Sequence, residues 1–111
     1  MQENAQQQFL DMVKLADVVL ENFRPGTMDK LGLSYQTLKE INPAIVMTSI
    51  SGFGQSGPNA PRPAFDSSAQ ASGGLWSING TVEEPMRVGT VLGDLSAGLY
   101  GAIGTLGALR E

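Results

Sequence analysis

Residues 17–50 read DVVLENFRPGTMDKLGLSYQTLKEINPAIVMTSI, and the punctuation of this stretch decides the fold. Asp17-Val18-Val19-Leu20 is a short apolar run with β-branched residues, the pattern of a buried strand. Glu21-Asn22-Phe23-Arg24-Pro25-Gly26 follows as a turn, with Pro and Gly as its breakers. Thr27 stands as the cap of a short helix through Lys30 and Leu31, ended by Gly32. Ser34 caps a second helix over residues 35–41, stopped by Asn42-Pro43. Residues 44–50 (AIVMTSI) read as a second buried strand. Strand, helix, strand in this order implies a parallel α/β layer.

Working outward, residues 2–16 carry Phe9, Met12, Val13 and Leu15 among Gln, Asp and Lys, an amphipathic helix pattern. On the other side, Gly52-Phe53-Gly54-Gln55-Ser56-Gly57 formally matches G-x-G-x-x-G. A dinucleotide site needs the third glycine inside the start of a helix whose N-terminus holds the pyrophosphate. Pro58, Pro61 and Pro63 follow instead, and no helix can begin before about Ala64. The segment therefore reads as a Gly/Pro loop at the carboxyl end of a parallel strand, where ligands bind in open α/β sheets. Asp66 stands where it could cap a small-residue helix that runs toward Gly74. Trp76, between Leu75 and Ile78, reads as a core anchor; Asn79-Gly80 is a turn and Glu83-Glu84-Pro85 a solvated loop.

Residues 88–109, VGTVLGDLSAGLYGAIGTLGAL, have one carboxylate, Asp94, and no other charge before Arg110. Leu95, Leu99, Ile103, Leu106 and Leu109 recur at helical spacing, so a helix is expected over residues 95–110. Gly98, Gly101, Gly104 and Gly107 fall every third residue, and each costs a helix about 1 kcal/mol relative to alanine. Such a helix is expected to be held by close packing, and its apolar surface nearly all round means burial. Asp94 falls at its first turn, where unpaired N–H groups and the macrodipole favour an anion. It reads either as the N-cap or as a carboxylate nucleophile at the mouth of the helix. The two are compatible, and the residues alone leave both open.

Composition narrows the chemistry. The 111 residues amount to one domain or a piece of one, 41% apolar, with net charge −4, which argues against a nucleic-acid partner. Zero Cys excludes disulfides and thiolate sites, and zero His excludes a Ser-His-Asp triad and imidazole ligands, so no metal is expected. Carboxylates, Lys, Ser, Thr and Tyr remain for covalent or acid–base work. The polar opening MQENAQQQ is no signal peptide. The apolar run of residues 95–109 is shorter than the ~20 residues of a membrane span. A cytoplasmic chain with no membrane partner is the expectation.

Five blocks stand in series: Glu21-Asn22-Phe23-Arg24-Pro25-Gly26 with Asp29-Lys30-Leu31-Gly32-Leu33, then Asn42-Pro43, the Ser51-Gly52-Phe53-Gly54-Gln55-Ser56-Gly57-Pro58 loop, Phe65-Asp66 with Ala69-Gln70, and Gly93-Asp94-Leu95. Together they resemble the class III CoA-transferase family, of the formyl-CoA transferase and carnitine CoA-transferase type. They lie in the family's order and spacing from about Asp17 onward. The resemblance implies an α/β segment of a Rossmann-like large domain with parallel strands and a buried Gly-rich helix. Residues 1–111 would be a fragment of the N-terminal, CoA-binding and catalytic large domain.

Asp94 matches the family's catalytic aspartate, which attacks an acyl-CoA thioester to give a mixed anhydride and CoA thiolate. The thiolate re-attacks, the donor acid leaves, and an acceptor carboxylate takes its place. The resemblance makes Asn22, Phe23 and Arg24 part of the CoA site and puts Lys30 near the nucleotide phosphate. Pro63, Ala64, Phe65 and Asp66 match a stretch that borders CoA, with Phe65 standing where an aromatic with a hydroxyl is more usual. Implied partners are an acyl-CoA and a small carboxylic acid, with coenzyme A thioester as substrate, no tightly bound cofactor, and a homodimer in the full-length protein.

The residue chemistry is compatible with this. A carboxylate is among the nucleophiles still available, and an acyl-aspartate anhydride keeps the thioester's activation. N–H groups at a helix start could donate to a developing oxyanion. Arg24 and Lys30 could answer a phosphate despite the acidic average, because steering depends on the local field. The related α-methylacyl-CoA racemases pair the matching Asp with a His, and Phe65 stands where that His is expected. A reading of a different class is a non-catalytic fragment that keeps only a CoA-facing or association surface. Bare apolar faces on the 95–109 helix would be its mark, to be covered by further chain or a partner.

Overall fold

The computed structural model describes residues 2–110, and it is an α/β structure built on two parallel strands. Helix α1 (Gln2–Val13) leads into β1 (Val18–Glu21), and two short helices, α2 (Thr27–Lys30) and α3 (Tyr35–Ile41), return the chain to β2 (Val46–Ser49). The strands pair in register from Val18 opposite Val46 to Glu21 opposite Ser49. This is the parallel strand–helix–strand unit expected from residues 17–50. Among the described residues no helix is long and apolar enough to cross a membrane.

The core lies on one side of this pair. Val13, Val19, Met28, Leu33, Leu38 and Ile45 form it, with Phe9, Leu10, Ile41 and Met47 packed against it. Leu38 is fully buried, because α3 turns one apolar position inward between α1 and the strands. Asn42 joins the three elements: its Nδ2 donates to the carbonyls of Val13 and Ala16 at 3.1 and 2.9 Å, and its Oδ1 accepts from Ala44 N at 3.1 Å. The Asn that ends α3 therefore also stops α1 and starts the chain toward β2.

Caps follow the residue types in part. Ser34 caps α3 as expected, its Oγ accepting from Thr37 N at 3.2 Å. The cap of α2, however, is Gly26 in the left-handed region (φ 79°), with Thr27 already inside the helix. The turn after Pro25 needs a positive φ there, which favours glycine over a side-chain cap. Strand β1 buries Val19 and Glu21 and exposes Leu20, and β2 is half-buried throughout, so neither strand is buried on both faces as the apolar runs suggested. Away from the core, Gly101 and Thr105 pack against the β2 segment alone, which leaves Leu20 of β1 exposed.

Beyond β2, residues 52–65 contain no helix, as their prolines dictate. Helix α4 (Asp66–Ser72), a single-turn α5 (Leu75–Ile78) and a hairpin-like bridge between Gly80 and Pro85 lead to α6 (Leu92–Ala108). Trp76 is half-buried and outside the core, with its indole Nε1 buried and unpartnered among the described residues. Helix α6 starts three residues earlier than its leucine spacing implied, so Asp94 is the third helical residue and Val91 the cap.

Helix α6 is not buried. Gly101 lies against Ile50 and Thr48 of the β2 segment, and the hydroxyls of Thr48 and Thr105 hydrogen-bond. Near the start of the helix, Gly93 lies against Asp66 and Ala69 of α4. Elsewhere the helix is bare: Leu99 is 67% and Leu106 69% exposed, and no α6 residue is buried. The expectation of a buried helix is thus corrected. Apolar composition on all sides states a demand for cover, and the described residues supply it along one stripe only. The radius of gyration of 17.2 Å agrees, against about 13 Å for a compact chain of this length.

Candidate active site

Asp94 lines an open cleft of 490 Å³ at the carboxyl ends of the two strands. The cleft has walls from four places in the chain. Asn22 follows β1; Ile50, Ser51 and Gly52 follow β2; Ala64, Phe65 and Ala69 come from the entry to α4; Gly93, Asp94, Ala97 and Gly98 form the first two turns of α6. Loops at the carboxyl ends of parallel strands gather there because each strand must hand the chain on at that edge. The small residues Gly93, Ala97 and Gly98 keep the α6 wall low beside Asp94. Asp94 itself is exposed, and among the described residues no donor is paired with its carboxylate. It stands at the helix start, where the macrodipole favours an anion.

A second cleft of 260 Å³ continues from the first and shares Asn22, Ser51, Gly52, Ala64 and Phe65 with it. Phe23, Arg24, Pro25, Arg62 and Pro63 form the rest of its lining. It therefore offers two guanidinium groups a cleft's length from a carboxylate. Arg62 also stands 5.2 Å from the centre of the Phe53 ring, which holds its planar group over an apolar face. The turn that carries Asn22, Phe23 and Arg24 is fixed from below: the buried Glu21 accepts from Phe23 N at 2.7 Å.

Of the residues singled out from sequence, Asn22, Phe23, Arg24, Pro63, Ala64, Phe65 and Asp94 line this joined groove. Phe65 is 79% exposed at its rim. Lys30, exposed on α2, lines neither cleft, and Asp66 lies buried behind the wall rather than in it. Asp66 accepts from Gly93 N at 2.7 Å, so one of the N–H groups at the start of α6 is already bound by the protein.

Sequence reading missed Arg62, Ser51 and the α6 residues beyond Asp94. Arg62 carried no signal, being one charge in a proline-rich loop. Gly52 did carry one, in the G-x-G pattern, but for another reason than phosphate binding. A Cβ there would lie 2.0 Å from the Cβ of Ala64, so glycine is what lets the two loop segments meet and close the wall between the clefts.

Over 103 residues the chain is 48% identical to an acetyl-CoA:oxalate CoA-transferase of Acetobacter aceti, a match covering 91% of this chain and 26% of that protein. It is 44% identical to the beta subunit of a succinyl-CoA–L-malate CoA-transferase of Chloroflexus aurantiacus, covering 93% of this chain and 26% of that one. Among solved structures, a CAIB/BAIF family protein from Brucella suis superposes with a TM-score of 0.91 at 40% identity, over 97% of this chain and 29% of that one. A hypothetical protein from Mycobacterium tuberculosis does so at 0.89 and 38%, over 97% and 31%. The chain thus spans about a quarter of the length of the curated relatives it matches. The model of CoA-transferase family III matches residues 1–111 throughout, and the chain belongs to that family.

Proposed function

We propose that these residues supply the catalytic aspartate and part of the CoA-binding wall of an enzyme that moves CoA from an acyl-CoA donor to a small carboxylic acid. Asp94 attacks the thioester carbonyl, the C–S bond breaks, and CoA leaves as thiolate while the acyl group stays on Asp94 as a mixed anhydride. The thiolate attacks the aspartyl carbonyl and the donor acid leaves as carboxylate. The acceptor carboxylate then displaces the thiolate from the aspartyl thioester, and the thiolate takes the new acyl group and frees Asp94. No proton is lost or gained around the cycle, which suits a groove without a single His. The same absence disfavours the related racemase chemistry, which needs an imidazole partner where Phe65 stands.

The observation that carries the proposal is the meeting of Asp94 with the Asn22–Arg24 turn and Arg62 along one continuous groove. Arg24 and Arg62 are assigned to phosphate oxygens of CoA, for which guanidinium groups are well shaped. The bare face of α6 supports a further assignment: these residues are part of a larger N-terminal domain that works as a homodimer, and other chain covers that face. Held apart from it, the same residues keep a CoA-facing surface without turnover.

The test is mass spectrometry of the whole protein after incubation with a panel of acyl-CoAs and trapping with hydroxylamine. A hydroxamate on the peptide containing Asp94 is expected, and Asp94→Ala is expected to abolish transfer while CoA binding stays within about threefold. Retained turnover in that variant would refute the role of Asp94.

A further inference from the structure

We propose that Asp66 and Gln70 are positioning residues for Asp94, acting through the backbone that leads into α6 rather than on CoA; the proposal rests on Asp94 being the nucleophile. Helix α6 has no side-chain cap of its own, since Val91 occupies the cap position. The approach to it, residues 86–91, has no regular structure. Two side chains of α4 hold this approach instead. Asp66, 7% exposed, accepts from Gly93 N on Oδ1 at 2.7 Å and from Gln70 Nε2 on Oδ2 at 2.8 Å. Gln70, 3% exposed, also donates from Nε2 to the Thr90 carbonyl at 3.0 Å and accepts from Val88 N on Oε1 at 2.9 Å.

The backbone is thus pinned at residues 88, 90 and 93, the last of them immediately before Asp94. Each atom of the pair has a determined polarity. Gln70 cannot turn its amide over without setting donor against donor at Val88 and acceptor against acceptor at Thr90. Both oxygens of Asp66 therefore face donors, a demand that a carboxylate meets and an amide does not. Gly93 allows the approach: a Cβ there would stand 3.1 Å from Asp66 Oδ1 and 3.3 Å from Ala69 Cβ. The nucleophile consequently sits on a helix start whose place is set by α4, and its carboxylate is held to the cleft without being touched.

Steady-state kinetics of the whole protein separates this role from a CoA contact. Asp66→Ala and Gln70→Ala are expected to lower kcat by about 10- to 100-fold, as small misplacements of reacting groups do, with KM for acyl-CoA changed less than about threefold. Formation of the hydroxamate at Asp94 is expected to slow in step. A raised KM with kcat retained would overturn the proposal and make Asp66 a CoA contact.

A paired swap keeps the test decisive if either alanine variant fails to fold. Gln70→Glu alone sets its new oxygen against Asp66 and the Thr90 carbonyl. Adding Asp66→Asn restores an N–H···O bond between the pair and leaves only Thr90 without its donor. The double variant is expected to recover kcat about tenfold over Gln70→Glu, the scale of coupling between contacting residues. Absence of recovery would overturn the proposal. Asp94→Ala run in parallel distinguishes the two failures: turnover there removes the nucleophile assignment itself, whereas a dead Asp94→Ala beside an unchanged kcat in the Asp66 and Gln70 variants removes only the positioning role.

Discussion

Gly52→Ala adds one methyl group at the seam between the two clefts. The new Cβ would lie 2.0 Å from Ala64 Cβ and 3.3 Å from Ala64 Cα. Non-bonded carbons rest at about 3.5–4.0 Å, so the segments must part by about 1.5–2 Å. The obstacle is a methyl group bound directly to backbone, so no rotamer can relieve it. Overpacking of this kind costs roughly 1–3 kcal/mol. Functionally the shift matters more, because Gly52 and Ala64 line both clefts, the one that holds Asp94 and the one that holds Arg24 and Arg62. With the reacting groups displaced by more than an ångström, kcat/KM for acyl-CoA is expected to fall on the order of 100-fold. Urea unfolding of the whole protein and steady-state transfer assays measure the two effects. Ala64→Gly in the Gly52→Ala background removes the opposing methyl and leaves the 3.3 Å approach to Cα, so most of both losses is expected to return. Unchanged kcat/KM in the single variant, or no recovery in the double, would refute the reasoning.

Two further outcomes follow from the same packing and charge. Leu38→Ala empties the fully buried position between α1, α3 and the strands and is expected to lower unfolding free energy by about 2–5 kcal/mol, read as a lower denaturant midpoint at unchanged slope. Arg62→Gln keeps a polar side chain over Phe53 but removes the charge. KM for acyl-CoA is expected to rise about tenfold at low salt, with less difference from the parent near 1 M salt, where charges are screened beyond about 3 Å. A salt-independent KM would remove Arg62 from phosphate binding.

Much of the fold was legible because its signals are local. Breakers at Pro25-Gly26 and Asn42-Pro43, the Ser34 cap and the two β-branched runs each act within a few residues, and parallel pairing follows once two strands are separated by helices. Where local signals compete, the reading slipped: Thr27 lost the cap of α2 to Gly26 because the turn needs a left-handed residue. Trp76 lies outside the core because its size states how much apolar surface it carries but not which wall will receive it.

Sequence by itself determined the α/β character, the placement of strands and helices, the lack of Cys and His among these 111 residues, and a lone carboxylate at the start of a long apolar helix. These depend on residue types and short periods, which the chain carries in one dimension. Tertiary structure decided that Arg62 joins Arg24, that Asp66 turns inward to hold Gly93, that Lys30 stays outside the groove, and that α6 is covered on one stripe alone. Each of these pairs residues far apart in the chain, and their meeting depends on how loops from separate strands end up beside one another.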